Sequence, residues 1–488
     1  MNVPVIIVGA GPAGLMLAGE LRLAGVEVIV LERLAQPSGE SRGIGFTART
    51  LESFDQRGIL SRFDEIGRTT GGHFGSIPLD YGVVDDSHRS VTGIPQSYTE
   101  RMLSDWATGL GAQIRRGWEL TALHDDGDGV DIEVATPEGT RRLRTAYLVG
   151  CDGGRSAVRK LAGFEFPGTE PTMELLLADI RGCELRPRMS GERSPHGIAM
   201  VAPIADGITR IVALDRGNPP RSRTQPPSYE EVAATFERLT GEDIRHGEPV
   251  WVSAFGDGAR QVSEYRRGRV LLAGDAAHVH LPAGGQGMNV SIQDSVNLGW
   301  KLAAVVNGWG PADLLDSYHS ERHPVGARML MHTRAQGLLA LGGPEIEPLR
   351  YVLSDLIASP DVSRRLAAAM SGLEVSYEMG AAGHPLVGLR MPKVDLVTPA
   401  GLTSSTELLH EGRGLLLDLG DDPAVRKSAD GWRDRVDVVV GKPQQPFDDA
   451  VLNGTASVLI RPDGYVAWAA PGSGTVQEAL VRWFGETN

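Results

Sequence analysis

The first pattern with a chemical meaning is a GxGxxG motif near the start of the chain, which consists of Gly9, Ala10, Gly11, Pro12, Ala13 and Gly14. Glycines at this spacing allow a tight turn and bring the backbone close to a pyrophosphate, which the N-terminus of a following helix attracts. Glu32 stands 18 residues after Gly14, where a carboxylate accepts hydrogen bonds from both hydroxyls of a ribose and repels a 2′-phosphate. The motif therefore predicts a site for FAD or NAD rather than for NADP.

A second pattern, far along the chain, would suit a flavin. Gly274 and Asp275 follow an apolar run at residues 269–273, and a carboxylate at the carboxyl end of a strand can hold a hydroxyl of the ribityl chain. A glycine-rich turn then leads into a predicted helix that runs to about Val306. The turn and the start of the helix include Pro282, Gly285, Gly287, Met288 and Asn289. The free N–H groups and the dipole of this helix favour the negative charge of a reduced flavin. Taken alone, Asp275 could equally be a helix cap.

The elements that must position these motifs follow from the spacing of apolar residues and glycines. Residues 3–8 and 26–31 are apolar runs rich in β-branched side chains, and the helical stretch at residues 15–24 is stopped by Gly25. This strand–helix–strand order predicts a Rossmann-like unit, with the GxGxxG turn between its first strand and its helix.

Length, charge and cysteine content narrow the class of protein. A chain of 488 residues predicts about three domains, and a net charge of -14 argues against a nucleic-acid partner. The apolar run at residues 3–19 follows no basic residue and is interrupted by glycine and proline, so neither a signal peptide nor a membrane helix is expected. The two cysteines, Cys151 and Cys183, allow at most one disulfide, which fits a cytoplasmic protein.

Together with a third motif, these patterns resemble the fingerprints of class A flavin-dependent aromatic hydroxylases, a family of FAD-binding monooxygenases. The third motif follows a predicted strand at residues 146–150 and contains Cys151, Asp152, Gly153 and Arg155. The segments at residues 72–75, 251–256 and 316–323 resemble those of aromatic polyketide hydroxylases, and of the angucycline hydroxylases in particular.

The resemblance implies roles for residues that spacing alone does not single out. Asp152 and Arg155 are implied to lie beside the FAD pyrophosphate and the route of the nicotinamide. Further cofactor-binding residues expected from it are Arg33, Arg42, Gln96 and Leu120, the last of them near the adenine.

The resemblance also implies a reaction. NADPH would reduce FAD, O2 would add at the flavin C4a position, and the hydroperoxide would hydroxylate an electron-rich phenolic ring of an aromatic polyketide in antibiotic biosynthesis. NADPH is expected to bind only transiently, because the sequence contains no second dinucleotide-binding motif. Since the cofactor carries the chemistry, no catalytic acid or base is assigned, and His278 near the flavin loop could equally be a packing residue.

No metal is expected from the histidines. His319 and His323 are four residues apart, but they are not part of an HExxH motif. Pro324 comes next and is predicted to end their helix.

The expected fold class is α/β, built from a Rossmann-like FAD-binding domain, an inserted β-sheet substrate domain and a thioredoxin-like C-terminal domain. The FAD-binding domain is placed at residues 1–170 and 260–380, the substrate domain at 171–259 and the last domain, which has no redox cysteines, at 388–488. Residues 70–100 are expected to contribute to the substrate layer. The C-terminal domain is expected to stabilise the protein or to form a homodimer contact.

Three local expectations complete this layout. Phe74 and Pro282 are predicted walls of the substrate pocket, although core packing explains Phe74 equally well. Ser228 and Glu231 are predicted to form a capping box at the start of a helix inside the inserted sheet. A helical stretch is expected from about residue 312 to residue 379.

Other functions fit the same motifs. A Baeyer–Villiger oxygenase or a coupled hydroxylase-reductase would use the same cofactor on a related polyketide. An NAD-dependent dehydrogenase would need only the GxGxxG unit, and a non-enzymatic flavoprotein would use the C-terminal domain as an interaction surface.

Overall fold

The computed structural model describes residues 2–63, 67–205, 207–380, 383–445 and 450–487. The strands of the first part of the chain are β1 (Asn2–Val8), β2 (Val28–Glu32), β3 (Ile44–Phe46), β4 (Arg68–Thr69), β5 (Gly71–Phe74), β6 (Ile77–Asp80), β7 (Val91–Pro95), β8 (Gln113–Arg116), β9 (Glu119–Asp125), β10 (Val130–Thr136), β11 (Gly139–Gly150) and β12 (Gly168–Thr169). The helices of this part are α1 (Pro12–Leu23), α2 (Ala48–Asp55), α3 (Gln96–Gly109) and α4 (Ala157–Leu161).

The middle of the chain adds strands and then a series of helices. The strands are β13 (Glu174–Arg181), β14 (Arg188–Arg193), β15 (Gly197–Ala205), β16 (Ile208–Asp215), β17 (Glu248–Gly256), β18 (Ala259–Gln261), β19 (Arg266–Arg267), β20 (Val270–Leu272) and β21 (His278–Val279). The helices are α5 (Tyr229–Thr240), α6 (Gln286–Val306), α7 (Asp316–Leu341), α8 (Glu347–Ile357) and α9 (Pro360–Ser371).

The C-terminal part is a smaller α/β unit. Its strands are β22 (Asp395–Thr398), β23 (Gly401–Ser404), β24 (Gly414–Asp418), β25 (Val436–Val440), β26 (Lys442–Pro443), β27 (Ser457–Ile460) and β28 (Val466–Ala470). Its helices are α10 (Pro423–Ser428), α11 (Ala450–Asn453) and α12 (Val476–Phe484).

The main sheet brings the cofactor motifs to one edge. Its strands lie in the order β19-β20-β11-β1-β2-β8, and β1 is parallel to both β2 and β11, while β11 is parallel to β20. The carboxyl ends of β20, β11, β1 and β2 are therefore neighbours, which is where ligands bind in open α/β sheets. The expected α/β fold is confirmed, with α1 and α6 packed against each other beside this edge.

The inserted unit is an antiparallel sheet with the order β14-β15-β16-β13-β17. One face packs on α5, whose Phe236 is fully buried against side chains such as Ile211. The capping box predicted for α5 is only half correct. The Ser228 side chain accepts a hydrogen bond from the N–H of Glu231, but the Glu231 carboxylate binds Arg223 instead of returning to the backbone.

The stretch expected from about residue 312 to residue 379 is helical, as predicted. It is divided into three helices, α7, α8 and α9, and it ends at Ser371 rather than near residue 379. The prediction that Pro324 ends the first helix is wrong. α7 continues through Pro324 to Leu341, since buried residues on both sides of the proline, including Tyr318 and Met329, hold the helix in the core at the cost of one backbone hydrogen bond. None of the helices in the described ranges combines the length and the apolar character that a membrane crossing requires.

The C-terminal sheet has the order β25-β24-β27-β28, with β24 parallel to β25 and antiparallel to β27. Its thioredoxin-like classification stays a prediction. The unit is joined to the rest of the protein through charged side chains, because Arg461 donates to both carboxylate oxygens of Glu321 on α7, at 2.6 and 2.9 Å. Lys301 on α6 binds the same carboxylate at 2.8 Å, and all three residues are buried.

Candidate cofactor and substrate site

The glycine turn after β1 is shaped by different restraints at each glycine. Gly9 has a φ of 107°, and a Cβ atom added to it would lie 2.3 Å from the carbonyl oxygen of Cys151. A Cβ atom on Gly14 would lie 2.0 Å from the carbonyl oxygen of Gly9. A Cβ atom on Gly11, by contrast, would meet no atom of the described residues within 4 Å. Gly11 therefore faces open space at the N-terminus of α1, as the close approach of a pyrophosphate requires.

Glu32, at the end of β2, lies against this turn. Its Oε2 accepts a hydrogen bond from the backbone N–H of Ala10 at 3.0 Å. The carbonyl oxygen of Glu32 accepts one from the N–H of Trp118 at 3.0 Å, so the start of β9, with the buried Leu120, follows directly after this contact. Arg33 is exposed beside them. The residues expected around the adenosine are thus grouped in space.

Asp152, at the carboxyl end of β11, is engaged within its own loop. Its carboxylate accepts hydrogen bonds from Ser156 Oγ at 2.5 Å and from the N–H groups of Ala157 and Val158 at 2.6 and 3.1 Å. Burial, which these hydrogen bonds only partly offset, raises the pKa of Asp152. The carboxylate caps α4, and through it the whole loop is held beside the glycine turn.

The remaining residues of this loop face different ways. Cys151 is buried, and burial raises the pKa of its thiol well above the ordinary range, so this cysteine packs rather than reacts. Gly153 has a φ of 79° and a Cβ atom on it would meet nothing within 4 Å among the described residues. Arg155 is exposed at the tip of the loop.

Arg42 and Gln96 come from different segments that meet at one point. The Oε1 of Gln96, the first residue of α3, accepts a hydrogen bond from the N–H of Gly43 at 3.0 Å, and its Nε2 donates to Glu100 at 2.7 Å. Arg42 precedes Gly43, and its exposed side chain is free of tight packing. A Cβ atom on Gly43 would lie 3.6 Å from both the Gln96 side chain and Met288, so these segments converge on the start of α6.

Asp275 is exposed at the carboxyl end of β20. It lies inside a single 3-10 turn whose N-cap position is Ala273, so its carboxylate does not act as the helix cap. Gly274 has a φ of 63°, and a Cβ atom on it would lie 3.1 Å from the Cβ of Ala13 in the glycine turn. The carboxylate of Asp275 is therefore available to a ligand that continues from the glycine turn towards α6.

The turn that opens α6 is held from both sides. Gly285 has a φ of 65° and forms the N-cap position of α6. Asn289 accepts a hydrogen bond from the N–H of Thr47 at 2.9 Å and donates one to the carbonyl oxygen of Gly285 at 2.8 Å. A Cβ atom on Gly287 would lie 3.0 Å from the ring of His280. These contacts hold the N-terminus of α6 in place, and its free N–H groups and dipole favour a negative charge there.

A buried charge cluster beneath these turns was not anticipated from the sequence. Asp294 on α6 binds the N–H of Gly274 at 3.2 Å, His278 Nε2 at 2.8 Å and Arg322 Nε at 2.7 Å. Although burial alone raises the pKa of Asp294, Arg322 and His278 hold it below its ordinary value. His278 is fully buried, so it supports the flavin loop from behind and does not face the cleft. No local pattern signals this cluster, because its three members come from β21, α6 and α7 and meet only where these elements pack together.

The two predicted pocket walls have different environments. Pro282 is exposed just before the turn that opens α6. Phe74 is buried in a cluster with Leu339, Ile357 and Met370, between the β5–β6 hairpin and the helices α7 to α9. Within residues 70–100, β5 pairs with β6, while β7 pairs with β3 and β4 and contacts β15 of the inserted sheet.

The inserted sheet reaches the flavin loop through apolar side chains. Leu281, just before the turn that opens α6, packs in one buried cluster with Leu175, Ile198 and Leu214 of the sheet and with Leu341 at the end of α7. The apolar face of the inserted sheet therefore lies beside the turn that opens α6. An apolar surface next to a cofactor site suits an apolar, planar ligand.

The residues present fit FAD. The open space at Gly11, the acid at the end of β2 and the exposed acid after β20 lie along one path that ends at the N-terminus of α6. These are acceptors for ribose and ribityl hydroxyls, and helix N-termini for a pyrophosphate and for an anionic flavin ring.

The chain matches two family models. Residues 2–333 match the model described as FAD binding domain. Residues 384–487 match the model described as aromatic-ring hydroxylase, C-terminal. The first of these covers more than half of the chain.

Known proteins are similar over the whole length. A crystal structure of CabE, described as an aromatic hydroxylase from angucycline biosynthesis, is 61% identical and covers 100% of both chains with a TM-score of 0.97. A 12-dehydrotetracycline 5-monooxygenase/anhydrotetracycline 6-monooxygenase of Streptomyces rimosus is 44% identical over 99% of both chains. A dialkyldecalin synthase of Streptomyces rugosporus is 40% identical over 99% of both chains.

Proposed function

Because the chain belongs to the family of FAD-dependent aromatic-ring hydroxylases, we propose that it hydroxylates an electron-rich ring of an angucycline-type aromatic polyketide, with NADPH and O2 as co-substrates. The observation that carries the proposal is the packing of Leu281 against Leu175 and Leu214, which places an apolar face of the inserted sheet beside the turn that opens α6. We propose that the substrate cleft lies along this face. The choice of an angucycline-type substrate rests on the 61% identity to an aromatic hydroxylase from angucycline biosynthesis.

Bound FAD would supply the redox chemistry, by accepting a hydride from the nicotinamide and activating O2. The residues of this chain bind and orient it. We assign its contacts to Gly9, Gly11, Pro12, Ala13, Gly14, Glu32, Arg33, Arg42, Gln96, Leu120, Cys151, Asp152, Gly153, Arg155, Gly274, Asp275, Pro282, Gly285, Gly287, Met288 and Asn289. Phe74 and Pro282 remain our candidates for the substrate side.

The apolar face has a second task, which is to keep water away from the reacting ring. Leu175, Leu214 and Leu281 are each less than a tenth exposed, so their contact already keeps water away from the side of the site that the inserted sheet covers. Exclusion of water favours transfer of oxygen to the ring over release of hydrogen peroxide.

The other domains are assigned less specific roles. We propose that residues 171–259 cover the substrate, and that the thioredoxin-like domain at 388–488 stabilises the protein or forms a homodimer contact.

A different reaction of the same fold is a real competitor. A relative that is 40% identical is named a dialkyldecalin synthase and not an oxygenase. A Baeyer–Villiger oxidation is a second alternative, and it would use the same cofactor. Product structure separates these reactions, because ring hydroxylation, insertion of oxygen into a ring and cyclisation give products with different NMR spectra.

The test is an anaerobic spectrum of the purified protein, followed on addition of NADPH with and without an angucyclinone-type phenol. We expect flavin bands that NADPH bleaches, faster bleaching when the phenol is present and a hydroxylated product when air is readmitted. Flavin reduction without any oxygenated product would overturn the hydroxylase proposal, and reduction by NADH in preference to NADPH would overturn the choice of co-substrate.

A further inference from the structure

The five-stranded inserted sheet has two faces of different character. Side chains alternate along each strand, and those that pack on α5 include Leu176, Ala178 and Ile211. The opposite face, which we call the inner face, carries the residues between them. Leu175 and Leu214 on this face pack against Leu281. The inner face is therefore directed towards the turn at residues 282–285 that opens α6, which we call the flavin turn.

The strand register arranges the inner face in three rows. The row beside the flavin turn is apolar and consists of Ile198, Leu214, Leu175 and Phe255. The middle row consists of Met200, Val212, Leu177 and Ser253. The far row is polar and consists of Ala202, Arg210, Asp179 and Trp251.

Arg210 and Asp179 form a bidentate ion pair in the far row. Arg210 Nε and Nη2 donate to the two carboxylate oxygens of Asp179, both at 2.7 Å. The side chains are only 6% and 7% exposed. The guanidinium carbon of Arg210 also lies 5.5 Å from the ring centre of Trp251 on the neighbouring strand β17, which orients the guanidinium as a cation–π contact does.

One donor group of this arginine is left over. Nη1 has no hydrogen-bond partner among the described residues, and it is not one of the buried polar atoms that lack a partner. Nη1 of Arg210, a residue of the inner face, is therefore at least partly accessible. A guanidinium that is more than nine-tenths buried and held on two nitrogens offers the third to a ligand with little loss of side-chain entropy.

We infer that Arg210, positioned by Asp179 and Trp251, is a specificity-determining residue that binds an oxygen atom at the end of the polycyclic substrate farthest from the flavin. The inference rests on the proposed function, because it describes the substrate of that same cleft. Asp179 already balances the charge of Arg210 and would repel a second anion. The group that Nη1 binds is therefore a neutral hydroxyl or carbonyl oxygen and not a carboxylate or phosphate.

The length of the inner face agrees with a polycyclic ligand. Arg210 and Leu214 are four residues apart on β16, which places the polar row about 13 Å from the apolar row. Three or four fused rings are needed to span such a distance, so a single phenol held at the flavin turn would not reach Arg210. The site thus selects for fused ring systems that carry oxygen at both ends.

The sheet contains a matched control for the alternative that such an ion pair only stabilises the fold. Arg223 donates to both carboxylate oxygens of Glu174 at 2.7 and 2.8 Å. Glu174 lies two residues before Leu176 on β13, so both side chains are on the face of the sheet that packs against α5. This pair is also bidentate, but Arg223 comes from the loop before α5 and binds Glu231 as well, and the pair lies on the face opposite to the inner face.

The test compares two hydroxylated benz[a]anthraquinones that are identical except for one hydroxyl on the terminal ring farthest from the reacting phenol. For the FAD-loaded enzyme we expect at least about tenfold tighter binding of the probe that carries the far hydroxyl, measured by equilibrium titration. The double variant Arg210→Gln/Asp179→Asn, which keeps a polar pair in place, should lose this preference through a higher KM for the probe that carries the far hydroxyl. The control Arg223→Gln/Glu174→Gln should keep it.

Each result decides something. Equal binding of both probes by the unaltered protein, together with NADPH oxidation stimulated by either probe, overturns the inference and leaves the proposed function standing. Loss of the preference in the control variant as well overturns it too, because the effect would then come from the sheet as a whole. If neither probe binds or stimulates NADPH oxidation, the proposed function itself fails. The comparison of probes on the unaltered protein does not depend on whether the double variant folds.

Discussion

The carboxylate of Glu32 lies 3.0 Å from the backbone nitrogen of Ala10 and accepts its hydrogen bond, so the acid at the end of β2 braces the glycine turn at the end of β1. Its other oxygen accepts the N–H of Leu34 at 2.9 Å. The residue that is expected to recognise the ribose is therefore already fixed by the protein backbone, and little ordering is left for the cofactor to bring about.

Glu32→Gln should weaken FAD binding by about tenfold or more, because the amide keeps only one acceptor for the ribose hydroxyls and has no charge. Titration of the apoprotein with FAD, followed by quenching of flavin fluorescence, measures the change. Glu27→Gln, at an exposed position before β2, serves as the control. An unchanged FAD affinity of the Glu32 variant would show that this carboxylate stabilises the glycine turn and does not bind the ribose.

Two glycines of the same turn should respond in opposite ways to alanine. Gly14→Ala places a methyl group 2.0 Å from the Gly9 carbonyl oxygen and should lower the free energy of unfolding of the apoprotein by about 1–3 kcal/mol. Gly11→Ala meets no atom of the described protein, so the apoprotein should keep its stability to within about 0.5 kcal/mol while FAD binding falls at least about tenfold.

Denaturant unfolding of the two apoproteins, combined with FAD titration, separates these cases. A Gly11→Ala protein that retains full FAD affinity would contradict the placement of the pyrophosphate at this turn.

The buried charges between the C-terminal unit and the FAD-binding domain should be essential for stability. Glu321→Gln leaves Lys301 and Arg461 without their shared anion, and the loss of one partner from a buried ion pair costs about 3–5 kcal/mol. Thermal unfolding measures the effect. Glu138→Gln removes half of an exposed pair with Arg141 and should change the free energy of unfolding by less than about 1 kcal/mol. Equal effects of both changes would refute a structural role for the buried cluster.

Stability should fall as the pH rises from about 6.5 to about 9 because of His88. Burial lowers the pKa of His88, but its hydrogen bond to Asp55 at 3.0 Å and the nearby Asp86 outweigh burial and raise the pKa to about 9. A raised pKa in the folded state means that protonation stabilises the fold fully below the unfolded pKa of about 6.5, and that this contribution disappears as the pH passes the folded pKa.

The contribution of His88 amounts to at most about 3 kcal/mol. His88→Gln should abolish this part of the pH dependence, which urea unfolding between pH 6 and pH 10 would detect. A variant with the same decline as the unaltered protein would assign the pH dependence to other groups.

The sequence alone determined the parts of this protein that depend on neighbours in the chain. The strand before Gly9, the helix after it, the strand that ends at Glu32 and the long helix after Gly285 were all predicted near their observed positions. Each follows from local periodicity and from glycines whose backbone conformations other residues rarely adopt. The motif resemblance then led to the family, which the comparisons confirm.

The tertiary structure alone decided which residues share a surface. Asp294, His278 and Arg322 meet although they belong to separate segments, and Arg210 lies on the same face of the sheet as Leu214 only because of the alternation and register of β16 against β13. Pro324 stays inside a helix for the same reason, since packing on both sides outweighs one lost hydrogen bond. Contacts between distant segments depend on how side chains are buried across the whole fold, and the spacing of residues along the chain does not predict them.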